Sequence, residues 1–124
     1  MKRVPALAVL LFAVGCFCGW GCATSAQGAE PAREFLDALR TAHYFDSAIE
    51  YLDLLATSPL TPANMREVLA YERAVTLIQG SKHQRDAQLR EKNLDEAQVA
   101  LNEFTAQMPD HTLNTSARMQ LGNV

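Results

Sequence analysis

After Pro31 the apolar positions of the chain recur at three- and four-residue steps, as helices burying one stripe require. Phe35, Leu36, Leu39 and Ala42 form the first stripe, and Pro31 suits its first helical position. A break follows at His43-Tyr44. Phe45, Ala48, Ile49, Leu52, Leu55 and Ala56 then predict a second helix over about Phe45–Thr57, with Glu50 and Asp53 pointing away. Ser58-Pro59-Leu60-Thr61-Pro62 stops it, because two prolines remove backbone donors and push their predecessors out of the α region. Thr61 reads as the N-cap of a third helix over about Pro62–Gln79, striped by Met65, Val68, Leu69, Val75 and Ile78. Gly80 is expected to close it in the left-handed conformation. Ser81 with Gln84, and Asn93 with Glu96, have the spacing of capping boxes for a fourth helix over about Lys82–Lys92 and for a fifth after it. In the fourth only Ala87 and Leu89 are apolar, so it must lean on neighbours or fray. Leu94, Ala97, Leu101, Phe104 and Met108 stripe the fifth, which ends before Pro109, and Leu113, Ala117, Leu121 and Val124 begin a sixth. No stretch alternates with period two, so the expected fold class is all-α.

The first thirty residues follow a different rule. Met1-Lys2-Arg3 is a short basic segment, Ala6–Val14 is an unbroken apolar run, and the small residues Ala23-Thr24-Ser25-Ala26-Gln27-Gly28-Ala29 follow. This is the layout of a secretory signal peptide cut within Ala26–Ala29, which divides the chain into a signal peptide, residues 1–29, and a helical domain, residues 30–124. Two other outcomes stay open. Val4–Ala29 carries no charge and is long enough to span a bilayer as an uncleaved anchor. Ala13-Val14-Gly15-Cys16 resembles a bacterial lipobox without its usual first Leu, which makes Cys16 a candidate lipidation site. Cys16, Cys18 and Cys22 are the only cysteines, so cleavage leaves no thiol for disulfides or metal sites.

Charge narrows the partners. Lys2 and Arg3 are the only charges before Glu30, leaving 9 basic and 14 acidic groups over residues 30–124, a net of −5. Such a domain repels a phosphate backbone, so nucleic acid is not an expected partner. Nor does any catalytic constellation emerge. His43, His83 and His111 stand singly, with Asp86 beside His83 as the one close pair, better read as a solvated helix face. Ser47, Ser58, Ser81 and Ser116 lack a base in a recognisable motif, and there is no glycine-rich phosphate loop. No cofactor, metal or enzymatic activity is expected. Glu50/Asp53 and Asp95/Glu96 read as outer faces, and Asn114-Thr115-Ser116 fits a glycosylation sequon by chance.

The helix spacing resembles the tetratricopeptide repeat, a unit of about 34 residues with W-x2-L-G-x2-Y in its first helix and A-x3-F then P in its second. Tyr44–Leu52 looks like the start of a second helix, with Ala48 at the close-approach position and Leu52 at the aromatic one. Phe35 and Leu39 fall at the Leu and Tyr of the first helix, and Pro59 comes one residue early. Asn93–Ala97, Leu101, Phe104 and Pro109 match again, and Leu121-Gly122 resembles the L-G of a third unit. Leu36 and Arg85 stand where the motif has Gly, and Ala48 to Ala97 spans 49 residues, about 15 more than one repeat.

The resemblance implies antiparallel helical hairpins stacked as an α-solenoid, with Phe35, Leu39, Phe45, Ala48, Leu52, Leu94, Ala97, Leu101 and Phe104 packing the repeats. In layout the chain is similar to large exported tetratricopeptide proteins of bacteria, planctomycetes among them. The implied function is a non-catalytic scaffold in the cell envelope or secreted, receiving a protein or peptide partner, with Tyr44, Tyr51 and Tyr71 as candidate anchors. A lipid-anchored assembly protein through Cys16 and an enzyme or ligand carrier on a helical scaffold are the alternatives. Contact with a membrane is expected only through the N-terminal segment. Because the last stripe ends at Val124 with nothing after it, the domain reads as incomplete at its C-terminus. It is expected to fray after Pro109 and to self-associate there.

Overall fold

The computed structural model describes residues 29–124, so the signal-peptide, anchor and Cys16 expectations lie outside the described residues. Among the described residues all regular structure is helical: α1 (Glu30–Thr41), α2 (Phe45–Thr57), α3 (Ala63–Arg66), α4 (Leu69–His83), α5 (Ala87–Gln107) and α6 (Asn114–Leu121). None of these is long and apolar enough to cross a membrane.

The chain turns between α1 and α2 through a C-terminal cap with backbone bonds in the Schellman pattern. Tyr44 N–H donates to Leu39 C=O at 2.9 Å and His43 N–H to Arg40 C=O at 3.0 Å. This geometry needs a left-handed residue, and His43 supplies it at φ 63°. The proline stretch after α2 is held by side chains. Thr61 Oγ1 donates to Leu55 C=O at 2.6 Å, and the Arg66 guanidinium donates to the Ser58 and Pro59 carbonyls at 3.0 and 3.1 Å. Thr61 therefore does not act as the expected N-cap. Pro62 occupies that position without a side-chain cap.

Between Pro62 and Lys92 the elements differ from the sequence expectation. The single helix over Pro62–Gln79 is two: α3 stops at Arg66, and α4 restarts at Leu69 after Val68 at φ −106°, ψ 0°. Gly80 does not end α4, which runs on to His83, and no described glycine has positive φ. Gly80 is instead a point of close approach: a Cβ there would lie 3.2 Å from Phe45 Cβ and Cγ. Neither capping box forms. Ser81 Oγ is buried within α4 and donates to Ile78 C=O at 2.7 Å, while Asn93 and Glu96 lie inside α5. The cap that does form is Asp86, whose Oδ1 accepts from Gln88 N–H at 2.9 Å and Leu89 N–H at 3.2 Å, so one helix from Ala87 joins the later part of the expected fourth to the fifth, while Lys82 and His83 belong to α4. Its first two turns are solvated, with Leu89 41% exposed, as the shortage of apolar residues there requires.

Packing follows chain order. α1 lies against α2, α2 against α4, α4 most extensively against α5, and α5 against α6. Leu36, Leu52, Met65, Val68, Leu101 and Phe104 form the buried centre, with Ala48, Ala97 and Ala117 fully covered where neighbouring helices come close. Burial of each large side chain is worth about 1.5–3 kcal/mol.

A polar latch joins α1 directly to α4. The Arg40 guanidinium donates to Glu72 Oε2 at 2.8 Å, to Glu72 C=O at 2.7 Å and to Thr76 Oγ1 at 2.8 and 3.0 Å, while its remaining nitrogen reaches Asp37 at 3.1 Å. Thr76 is fully buried, and the Arg40 and Glu72 side chains are only 9% and 12% exposed. A charge so far removed from water is tolerable only because each face of the guanidinium fork is met.

Candidate functional site

The residues expected to pack the repeats take several environments. Ala48, Leu52, Ala97, Leu101 and Phe104 are buried, and Leu39, Phe45 and Leu94 are half-buried. Phe35 is 51% exposed and meets Tyr51 edge-on at 4.8 Å. Of the candidate aromatic anchors, Tyr71 packs against Phe104 at 5.5 Å, Tyr51 against Phe35, and Tyr44 stands 63% exposed.

Phe45 is drawn against α4 because Gly80 presents no side chain there, and the approach opens a groove where α2, the second half of α4 and the first half of α5 meet. One stretch, a cavity of about 280 Å³, is lined by Phe45, Ile49 and Leu77 with Asp46, Lys92 and Glu96 among its polar residues. Lys92 and Glu96 lie one turn apart on α5, their charged atoms 3.8 Å from each other, and both stay solvated. Apolar contact is thus available along the groove, with charges of both signs beside it.

The groove continues into a smaller cavity of about 170 Å³, which shares Phe45, Asp46, Gly80 and Asn93 and ends at His43, His83 and Gln84. Here the structure brings together what sequence spacing kept apart. The imidazole centres of His43 and His83 are 4.4 Å apart with planes inclined by 50°. Phe45 stacks on His83 at 5.4 Å and 21°, and lies 5.8 Å from His43. Asp86, the neighbour that sequence paired with His83, spends its carboxylate capping α5. His111 is committed elsewhere: its Nδ1 accepts from Leu113 N–H at 3.1 Å, and its ring rests on Phe104.

Other expected groups are placed on the surface. Glu50, Asp53, Asp95 and Glu96 are exposed, and Asp53 pairs with Arg73 of α4. Among the described residues no group of three His, Cys, Asp or Glu could hold a metal ion. Sequence reasoning missed Arg40, Glu72 and Thr76, although a signal was present: Arg40 sits one turn after Leu36 on the buried stripe of α1, and Glu72 and Thr76 sit one turn apart on α4. No protein-family model, curated protein or solved structure matches the chain.

Proposed function

We propose that residues 30–124 are a tetratricopeptide-like array of helical hairpins, exported from the cell, that binds a protein or peptide partner without catalysing a reaction. The observation that carries this reading is the groove between α2, α4 and α5, with apolar Phe45, Ile49 and Leu77 beside charged Asp46, Lys92 and Glu96. An extended peptide recognised in such a groove gains area from the apolar contacts and register from the charges. The array is supported by helices that pack in chain order and by Ala48 and Ala97, both fully buried. The excess of residues between these two alanines has a structural home in α3 and in the solvated start of α5, since Ala48 lies in the first turn of α2 and Ala97 about three turns into α5.

Selection of a displayed random-peptide library on the full chain tests the binding reading. Enriched peptides should shift the amide resonances of Ile49, Leu77 and Glu96, and exchanging the two charges in Lys92→Glu/Glu96→Lys should weaken them. Shifts centred on another face, or a failure to enrich any sequence, would count against it. Export is checked separately by intact-mass measurement of the native protein. A start near Gln27–Glu30 is expected, while an intact Met1 or a diacylglyceryl Cys16 would refute a soluble exported form.

A further inference from the structure

We infer that His43 and His83 form a binding site for a late first-row divalent metal ion, Cu(II) before Ni(II) or Zn(II), with water completing the coordination. With metal–nitrogen bonds of about 2.0 Å, two imidazoles in adjacent coordination positions hold their ring centres about 4.5–5 Å apart. The observed 4.4 Å is within a few tenths of an ångström of the lower value. Both residues are exposed, so a metal reaches them. Phe45 packs against both rings, and the cavity that it lines with His43, His83, Asp46, Gln84 and Asn93 leaves room for coordinated water. Asp46 supplies a negative charge at that cavity and an acceptor for those waters.

His83 is the last residue of α4, and His43 lies in the turn between the end of α1 and the start of α2, so the pair sits where three helix ends meet. The backbone conformation at His43 is itself unusual. At φ 63° glycine fits without strain, and an imidazole-bearing residue in its place is held against that preference. Imidazole ligands with open positions suit Cu(II), Ni(II) and Zn(II), and the order of intrinsic affinity puts Cu(II) first. Two protein ligands make the site open and exchangeable rather than a closed structural one. This inference does not rest on the peptide-binding reading.

The test is titration of the full chain with CuCl2 alone, after alkylation of Cys16, Cys18 and Cys22 to remove thiolate ligands, followed by electron paramagnetic resonance and by NMR line broadening. One equivalent should bind with nitrogen hyperfine structure from two imidazoles, and substoichiometric Cu(II) should broaden the ring signals of His43, His83 and Phe45 first. His83→Gln and His43→Gly should each weaken binding by about tenfold or more, and His111→Gln should leave it unchanged. His43→Gly suits the left-handed position, so an equal or higher melting temperature shows that its loss of binding is not a loss of fold. Broadening centred on His111 or on the chain's amino terminus would overturn the assignment, as would unaltered affinity in His43→Gly and His83→Gln.

Discussion

Arg40 shows how one side chain sets the cost of changing its surroundings. Its guanidinium is fixed by Glu72, Thr76 and Asp37, and removing it leaves the Glu72 carboxylate and Thr76 hydroxyl without their largest partner. Breaking a buried ion pair costs about 3–5 kcal/mol. With Glu72 12% exposed, Arg40→Ala should fall near the lower end, about 3 kcal/mol by urea denaturation. Arg40→Lys should recover little, because an ammonium cannot meet two partners in the planar fork geometry. Recovery of most of the stability by lysine would mean that charge alone, without the fork, holds α1 to α4. Gly80 poses the opposite problem, in which two effects nearly cancel. Alanine gains about 1 kcal/mol of helix propensity, but its Cβ meets Phe45 at 3.2 Å. The atoms it meets, Phe45 Cβ and Cγ, are the root of that side chain, so relief takes a shift of a few tenths of an ångström between α2 and α4 that offsets the gain, and Gly80→Ala should be near neutral. Gly80→Val adds branches that Phe45 cannot clear, and should destabilise by about 2 kcal/mol through overpacking. A neutral valine variant in thermal denaturation would show that the close approach is not a constraint.

The α4–α5 connection illustrates which information a helix boundary carries. Asp86 caps α5 through two backbone N–H groups, so Asp86→Ala should cost about 1 kcal/mol and loosen the exposed turns around Leu89, read as faster amide exchange there. An unchanged exchange rate at Leu89 would mean that packing further along, not the cap, fixes the start of the helix. The boundaries of α2 were legible because periodicity, a preceding break and following prolines agree on them. In Ser81–Lys92 the local signals conflict. Ser81/Gln84 and Asn93/Glu96 both have capping-box spacing, yet Ser81 is buried where α4 packs and Asn93 lies within a helix already running from Ala87. Gly80 misled for a related reason. Its lack of a side chain serves a contact with Phe45, 35 positions away, and not a local backbone conformation. The same limit hides the His43–His83 pair: the break at His43 was legible, but the end of α4 at His83 was not, and only the packing of α1, α2 and α4 brings the rings to 4.4 Å. The groove was legible only in Phe45 and Ile49, which fall on the stripe of α2; Leu77 lies outside the stripe read over Pro62–Gln79, because the break between α3 and α4 rotates the buried face. Its polar members Lys92 and Glu96 were not, since a charged residue on a helix reads as solvated unless its neighbours across the groove are known.

Packing in chain order gives the six helices unequal support, and this has a consequence for how the whole domain opens. α4 is covered by α2 on one side and α5 on another and carries the latch from Arg40, whereas α6 rests on α5 and α1 on α2. In such an arrangement stability is close to a sum of local terms and contacts between neighbours, so the elements with fewest neighbours open at the lowest free energy. Native-state hydrogen exchange should therefore show the slowest amides in the middle of α4 and in α5 around Leu101 and Phe104, and faster exchange in α6. α1 should be intermediate, since Leu36 is fully buried and Arg40 reaches past α2 to Glu72. Arg40→Ala discriminates between this graded picture and a single cooperative unit. In the graded case it accelerates exchange in α1 strongly and in α5 weakly, because every hydrogen-bonding partner in the latch belongs to α1 or α4. In a single cooperative unit the slowest amides of α1, α4 and α5 would all accelerate by one common factor, and that outcome would refute the neighbour-by-neighbour account of how this domain is held together.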